Sequence, residues 1–96
     1  MDVELTTRLR GGKLEQWERF LQRAGLDADH GVETTVLIWE DDSIIACGSR
    51  QDNVLKCIAV DPARQGEGLT ATLLTSLRQD AMTAGYRHLF LYTKPQ

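Results

Sequence analysis

Two cysteines, two histidines and two prolines are all this 96-residue chain holds of the residues that build disulfide frameworks, metal centres and rigid turns. Cys47 and Cys57 lack metal-ligand spacing and have no histidine beside them, so no metal site is indicated. They fall in adjacent expected strands on either side of residues 50–53, where buried reduced thiols are the structural reading and an oxidised pair across the ladder is the alternative. No apolar run nears the ~18 residues that span a bilayer. The N-terminus, Met1-Asp2-Val3-Glu4, lacks the basic and apolar regions of a signal peptide, so the chain is expected in the cytoplasm with no membrane partner. Positive charge is not in excess either. The net charge of −3 makes no electrostatic case for nucleic acid, and any anion site has to be built locally. No linker or repeat divides the chain, so residues 1–96 are read as one domain with 42% hydrophobic residues for its core.

What is present has a clear order. Leu14, Trp17, Phe20, Leu21 and Ala24 recur at three and four residues, which predicts an amphipathic helix over 13–24 ended by Gly25. Residues 32–39 and 44–49 predict a hairpin about the polar turn 40–43, and 54–60 a mostly apolar central strand. Leu69, Leu73, Leu77 and Ala81, widened by Leu74, predict a second helix over 69–84 that stops at Gly85. Residues 87–93 then predict a buried strand, parallel to 54–60 because a helix connects the two. The expected class is α/β (α+β), a mixed sheet built as helix, three antiparallel strands, helix and parallel strand. The chain then stops just past a central-type strand that would want a neighbour.

Between the central strand and the second helix lies Gln65-Gly66-Glu67-Gly68-Leu69-Thr70. Two glycines two residues apart let the backbone turn tightly, and the helix start beside them presents unpaired N–H groups and a positive dipole end, a cradle for a pyrophosphate. The structural alternative is a turn that needs glycine for its own geometry.

The element order and this loop resemble the GNAT acetyltransferase family, whose motif reads Gln/Arg-x-x-Gly-x-Gly/Ala. Gln65 and Gly68 match it, and Thr70 stands where Gly or Ala is usual. The resemblance implies that Ile58, Ala59 and Val60 hydrogen-bond a pantetheine arm, while the N–H groups of Gln65, Gly66, Glu67, Gly68, Leu69 and Thr70 hold the pyrophosphate of a CoA-like ligand. Longer strings, Ile44-Ile45-Ala46-Cys47-Gly48, Leu55-Lys56-Cys57-Ile58-Ala59-Val60 and His88-Leu89-Phe90-Leu91-Tyr92-Thr93-Lys94-Pro95, resemble the N-terminal domain of the citrate lyase ligase family. That family uses ATP and acetate to acetylate the thiol of a CoA-derived prosthetic group on the citrate lyase acyl carrier protein. The resemblance implies that carrier protein as partner and phosphoribosyl-dephospho-CoA, or acetyl-CoA, as ligand. It assigns ATP to a nucleotidyltransferase domain that these 96 residues do not contain.

No catalytic residue is evident. Acetyltransferases of amines often draw a Glu from the strand before the loop, and residues 54–60 contain no carboxylate. A thiol acceptor needs less help, being partly ionised near neutral pH and strongly nucleophilic. The alternative is a free-standing acetyl-CoA-dependent small-amine N-acetyltransferase, completed by homodimerisation, and a blander one is a non-catalytic regulatory module. Trp17, Trp39 and Phe90 are expected in the core, His88 as a structural histidine, and Lys56 either snorkelling from an edge or meeting a phosphate. Glu67 suits an anion cradle only if its side chain points away, and Tyr92 is poorly placed as an acid.

Overall fold

The computed structural model describes residues 1–92. Its elements are β1 (Asp2–Thr6), α1 (Gly11–Arg23), β2 (Thr34–Glu40), β3 (Ser43–Gln51), β4 (Val54–Val60), a 3-10 turn (Pro62–Arg64), α2 (Leu69–Thr83) and β5 (Phe90–Leu91). They form one sheet in the order β1-β2-β3-β4-β5. Neighbours are antiparallel except β4 and β5, which run parallel. The expected mixed sheet is therefore present, with a fourth antiparallel strand, β1, that the expected order lacked. Asp2-Val3-Glu4-Leu5-Thr6 does alternate polar with apolar, but over only five residues. Its pairing is decided by the exposed edge of β2, where Val3 sits opposite Ile38 and Leu5 opposite Val36.

Alternation along the strands sorts the core into two layers. Val36, Ile38, Ile45, Ala46 and Leu55 meet Leu69, Leu73 and Leu77 of α2 on one face. Leu37, Ile44, Cys47 and Ala59 meet Trp17, Phe20 and Leu21 of α1 on the other. The strict period of two breaks twice. Ile38 pairs with Ala46 and Trp39 with Ile44, so Ile45 is an extra residue and turns onto the α2 side with Ala46. On β4, Ala59 pairs with Cys47 and Lys56 with Ser49, so Cys57 and Ile58 together oppose Gly48, and Cys57 takes φ 55°. That is a β-bulge, and it redirects the strand.

Arg50 locks the C-terminal half of α2 to the sheet. Its guanidinium is buried and donates to Asp80 of α2 through Nε (2.9 Å), with a second contact through Nη2 (2.8 Å). Nη1 donates to the Asp52 carbonyl in the β3–β4 turn and lies 3.6 Å from Glu33, and the Tyr86 ring stacks 5.8 Å from the guanidinium carbon. Thr34 accepts from Nη2 at 3.4 Å. Residue 50, read in sequence as part of a polar turn, is thus a buried strand residue. The turn itself is Asp52-Asn53, with Asp52 at φ 52°.

The expected buried strand over 87–93 is corrected. Only Phe90 and Leu91 pair with β4, and Phe90, Leu91 and Tyr92 are 60%, 56% and 61% exposed. Phe90 is not core, because β5 lies at the sheet margin and has a strand partner on one side alone among the described residues. His88 is exposed too, and Thr93 lies outside the described residues. Trp17 is core as expected at 1% exposure, whereas Trp39 is half-buried and donates its indole N–H to Glu4 at 2.9 Å.

Asp80→Ala leaves the buried Arg50 cation with one carboxylate near it in place of two. Breaking a buried pair typically costs 3–5 kcal/mol, and with Glu33 and the Asp52 carbonyl still in place a loss of roughly 2–3 kcal/mol is expected, read as a lower urea midpoint at unchanged slope.

Candidate functional site

A cleft lies beside the bulge. Among the described residues the last ladder contact is Tyr92 N–H to the Leu55 carbonyl at 2.8 Å. Beyond Leu55, the outer edge of β4 has no strand partner among the described residues. A space of about 1070 Å³ lies there, walled by Val54, Lys56, Cys57 and Ile58 of β4, by the loop after α1, by Thr70 and Leu74 of α2, and by Leu91 and Tyr92. An extended polar ligand can take hydrogen bonds from a strand edge of this kind.

The start of α2 borders the cleft through Thr70, and the glycine loop lies just ahead of it in the chain. Asp61 caps the 3-10 turn by accepting the Ala63 N–H at 2.9 Å, and Gln65 leaves it in extended conformation. Gly66 and Gly68 then take φ 84° and 78°, the left-handed region open to glycine, with nothing within 4 Å of where a Cβ would stand. Gly68 caps α2 without any side-chain bond, and the first helical bond runs from Thr72 N–H to the Gly68 carbonyl at 3.2 Å. The N–H groups of the first turn therefore face outward beside open space.

The nine residues expected to bind ligand are placed unequally. Ile58 and Thr70 line the cleft. Gln65, Gly66, Glu67 and Gly68 are exposed in the loop, while Leu69 is 2% exposed and anchors α2 in the core, so only its backbone is available. Ala59 turns its side chain into the α1 layer and Val60 packs against the α2 layer. Both offer backbone alone. Glu67 lies 3.5 Å from Arg64, which also pairs with Glu40, so its charge is compensated within the protein.

The titratable groups around the cleft are already engaged. Lys56 donates to Asp29 Oδ2 and Gln51 Oε1, both at 2.8 Å, which replaces both sequence expectations for it with an ion pair to the loop after α1. The other Asp29 oxygen accepts the Gly31 N–H at 2.8 Å, and the Lys56 and Gly31 bonds together hold its carboxyl below the usual value. Cys57 is half-buried, and burial pushes its thiol up. His30 contacts Glu18 at 3.0 Å and meets Trp17 edge-on at 6.1 Å. Both cysteines are free thiols. The Cys47 thiol is pushed up to about 12, chiefly by burial, and the buried Trp17 indole N–H that lies against it finds no nitrogen or oxygen acceptor. Among the described residues no group of three His, Cys, Asp or Glu is placed to hold a metal, and no helix is long and apolar enough to cross a membrane.

Sequence reasoning missed the loop after α1 as a wall of the cleft. Leu26, Asp27, Ala28 and Asp29 carry no motif along the chain, and the Lys56–Asp29 pair, the Cys57 thiol contact to the Asp27 carbonyl (3.9 Å) and the packing of Leu26 and Ala28 into the α1 layer bring the loop against β4. The one signal was Lys56 itself, a cation at a strand centre in need of an acid.

Two consequences are measurable. A thiol reagent at pH 8 should modify Cys57 slowly and leave Cys47 intact until denaturant is added, since the thiolate is the reactive form. The Asp29 carboxyl, lowered from its ordinary 3.8, contributes stability that is complete above that value and lost as pH falls through its folded value. Acid titration of the Asp29→Asn variant should therefore lack that step.

Comparison with known proteins places this geometry. Residues 3–96 match the model of the acetyltransferase (GNAT) family. The chain is 42% identical over 81 residues to [citrate [pro-3S]-lyase] ligase of Klebsiella pneumoniae and 37% identical over 84 residues to that of Escherichia coli, covering 84% and 88% of this chain and 24% of each relative. It thus spans about a quarter of their length. An aminoglycoside N-acetyltransferase solved in complex with CoA superposes with a TM-score of 0.73 at 18% identity, over 99% of this chain and 81% of that one. An acetyltransferase of Trypanosoma brucei superposes at 0.74 and 17% identity, over 97% and 84%. A glycine loop opening α2, a bulged β4 and a cleft beside it thus stand in a chain matched almost end to end, and this chain belongs to the GNAT acetyltransferase family.

Proposed function

We propose that this chain is the acetyltransferase-like part of a citrate lyase ligase and that it holds the CoA-derived prosthetic group of the citrate lyase acyl carrier protein while its thiol is acetylated. The observation that carries the reading is the cleft itself. It reaches the helix start at Thr70, and its β4 wall carries no carboxylate: Lys56 is a cation and Cys57 a raised thiol, while Asp29 and His30, which enter from the loop after α1, are bonded to Lys56 and to Glu18. An ammonium acceptor must lose a proton to a base before it can attack. A thiol loses its own at a pKa near 8.5, so a strand wall that offers no carboxylate suits a thiol. The 36–42% identity to citrate lyase ligases supports the same acceptor.

The residues fit a CoA-like group. The N–H groups of residues 65–70 would take the diphosphate, that of Gln65 shared with the Pro62 carbonyl at 3.5 Å, and the edge of β4 at Ile58, Ala59 and Val60 would take the pantetheine arm. Activation of acetate by ATP belongs, in this reading, to chain outside these 96 residues, and the setting is the cytoplasm where the carrier protein works.

Dephospho-CoA should raise the melting temperature, as any ligand selective for the folded state does. At ten times its Kd the gain is about 1.4 kcal/mol, roughly 6–11 °C for a domain of this size. Gly68→Asp, which puts an acid and a strained φ in the loop, should abolish the shift while the protein stays folded. An unshifted wild type at millimolar ligand would sink the reading. Acetylation of small amines from acetyl-CoA by the wild type would point instead to a free-standing amine acetyltransferase.

A further inference from the structure

Lys56 occupies a strand that in amine acetyltransferases of this family often supplies a carboxylate, and it presents the opposite charge. Its side chain is 18% exposed and lines the cleft. Two of its three ammonium protons are accounted for by Asp29 and Gln51, which pin the nitrogen in place and leave one donor. The adjoining bulge places Cys57 beside it, so a thiol already shares this wall with the ammonium. The Lys56 charge pulls that thiol down, against the larger upward effect of burial.

We propose that Lys56 binds the sulfur of the thiol delivered into this cleft and stabilises it as thiolate, selecting a thiol over an ammonium-bearing acceptor. The inference rests on the CoA-like reading of the cleft. The thiol proton passes to solvent, and no bond to carbon changes. A second ammonium brought to the same place meets the like charge of Lys56. Other groups could blur a pH dependence. Asp27, Asp29 and His30 face the cleft from the loop after α1, Cys57 from β4 and Tyr92 from beyond β5, whereas α2 presents only Thr70 and Leu74.

The test compares coenzyme A with desulfo-coenzyme A by calorimetric titration between about pH 6 and 9, a range that brackets the ordinary thiol value. Protein groups that titrate in the cleft act on both ligands and cancel in the ratio. If the bound thiol is more acidic than the free one, the affinity ratio favours coenzyme A increasingly as pH rises and levels off above the free thiol's pKa. A depression of about one unit makes the total gain roughly tenfold. Lys56→Met should flatten the ratio, and Lys56→Arg, which keeps the charge, should preserve most of it. Melting curves of both variants show that they fold. A ratio independent of pH in the wild type, or an equal rise in Lys56→Met, overturns the role of Lys56 while leaving the cradle intact. Failure of desulfo-coenzyme A to bind removes the cradle and this inference together.

Discussion

A buried cation holds the architecture in register. Arg50 ties three segments that are distant in sequence: Thr34 and Glu33 at the start of β2, the Asp52 carbonyl in the turn to β4, and Asp80 far along α2. Leucines alone let a helix slide along an apolar face, since burial is not directional. A guanidinium with fixed donor geometry does not. Pinned at Asp80, α2 has its other end set three turns away, with Leu69 in the core and the Gly66 and Gly68 turn just ahead of it. The position of the loop that faces a ligand thus follows from an ion pair at the opposite end of the helix.

The second organising feature is the bulge in β4. Setting two residues against Gly48 lets Cys57 face the α1 layer with Ala59 while Ile58 turns to the α2 layer. Gly48 fits closely there, because a Cβ would stand 3.0 Å from Leu77 and 3.4 Å from Ile58 and would press on both side chains. Among the described residues the ladder to β5 reaches as far as Leu55, just before the bulge, and the β4 edge beyond it is a backbone surface beside a helix start. Lys56 stands next to it, fastened to Asp29, so one ion pair both anchors the loop after α1 and fills the cleft wall with fixed charge. Strand edge, loop and pinned ammonium are one local construction.

Much of this was legible. The leucine stripe of α2, the Trp17-Phe20-Leu21 face of α1 and the β-branched strands state their periods directly, and Gln65-Gly66-Glu67-Gly68 announces its turn through glycine. Arg50 was not legible, because a basic residue beside Gln51 and Asp52 reads as solvated turn until Asp80, 30 residues later, is seen to meet it. Phe90, Leu91 and Tyr92 were read as buried because their composition is that of a strand interior. Burial depends instead on what lies on either side, and β5 is the margin of the sheet, with a strand partner on one side alone among the described residues. The short β1 escaped because a five-residue alternation carries little signal without the edge that pairs with it.

By itself the sequence determined the order and type of most elements, the absence of a carboxylate on β4, and the glycine turn before α2, since these depend on periodicity, side-chain chemistry and φ, which are local. Only the tertiary structure decided which charges are spent. Asp29, Lys56, Glu67 and Arg64 are four ionisable residues whose partners are not evident along the chain, and in the fold each is matched with one. Pairing across 27 residues, as between Lys56 and Asp29, is a property of how layers meet. No window of sequence contains it, and the chemistry open to the cleft depends on it.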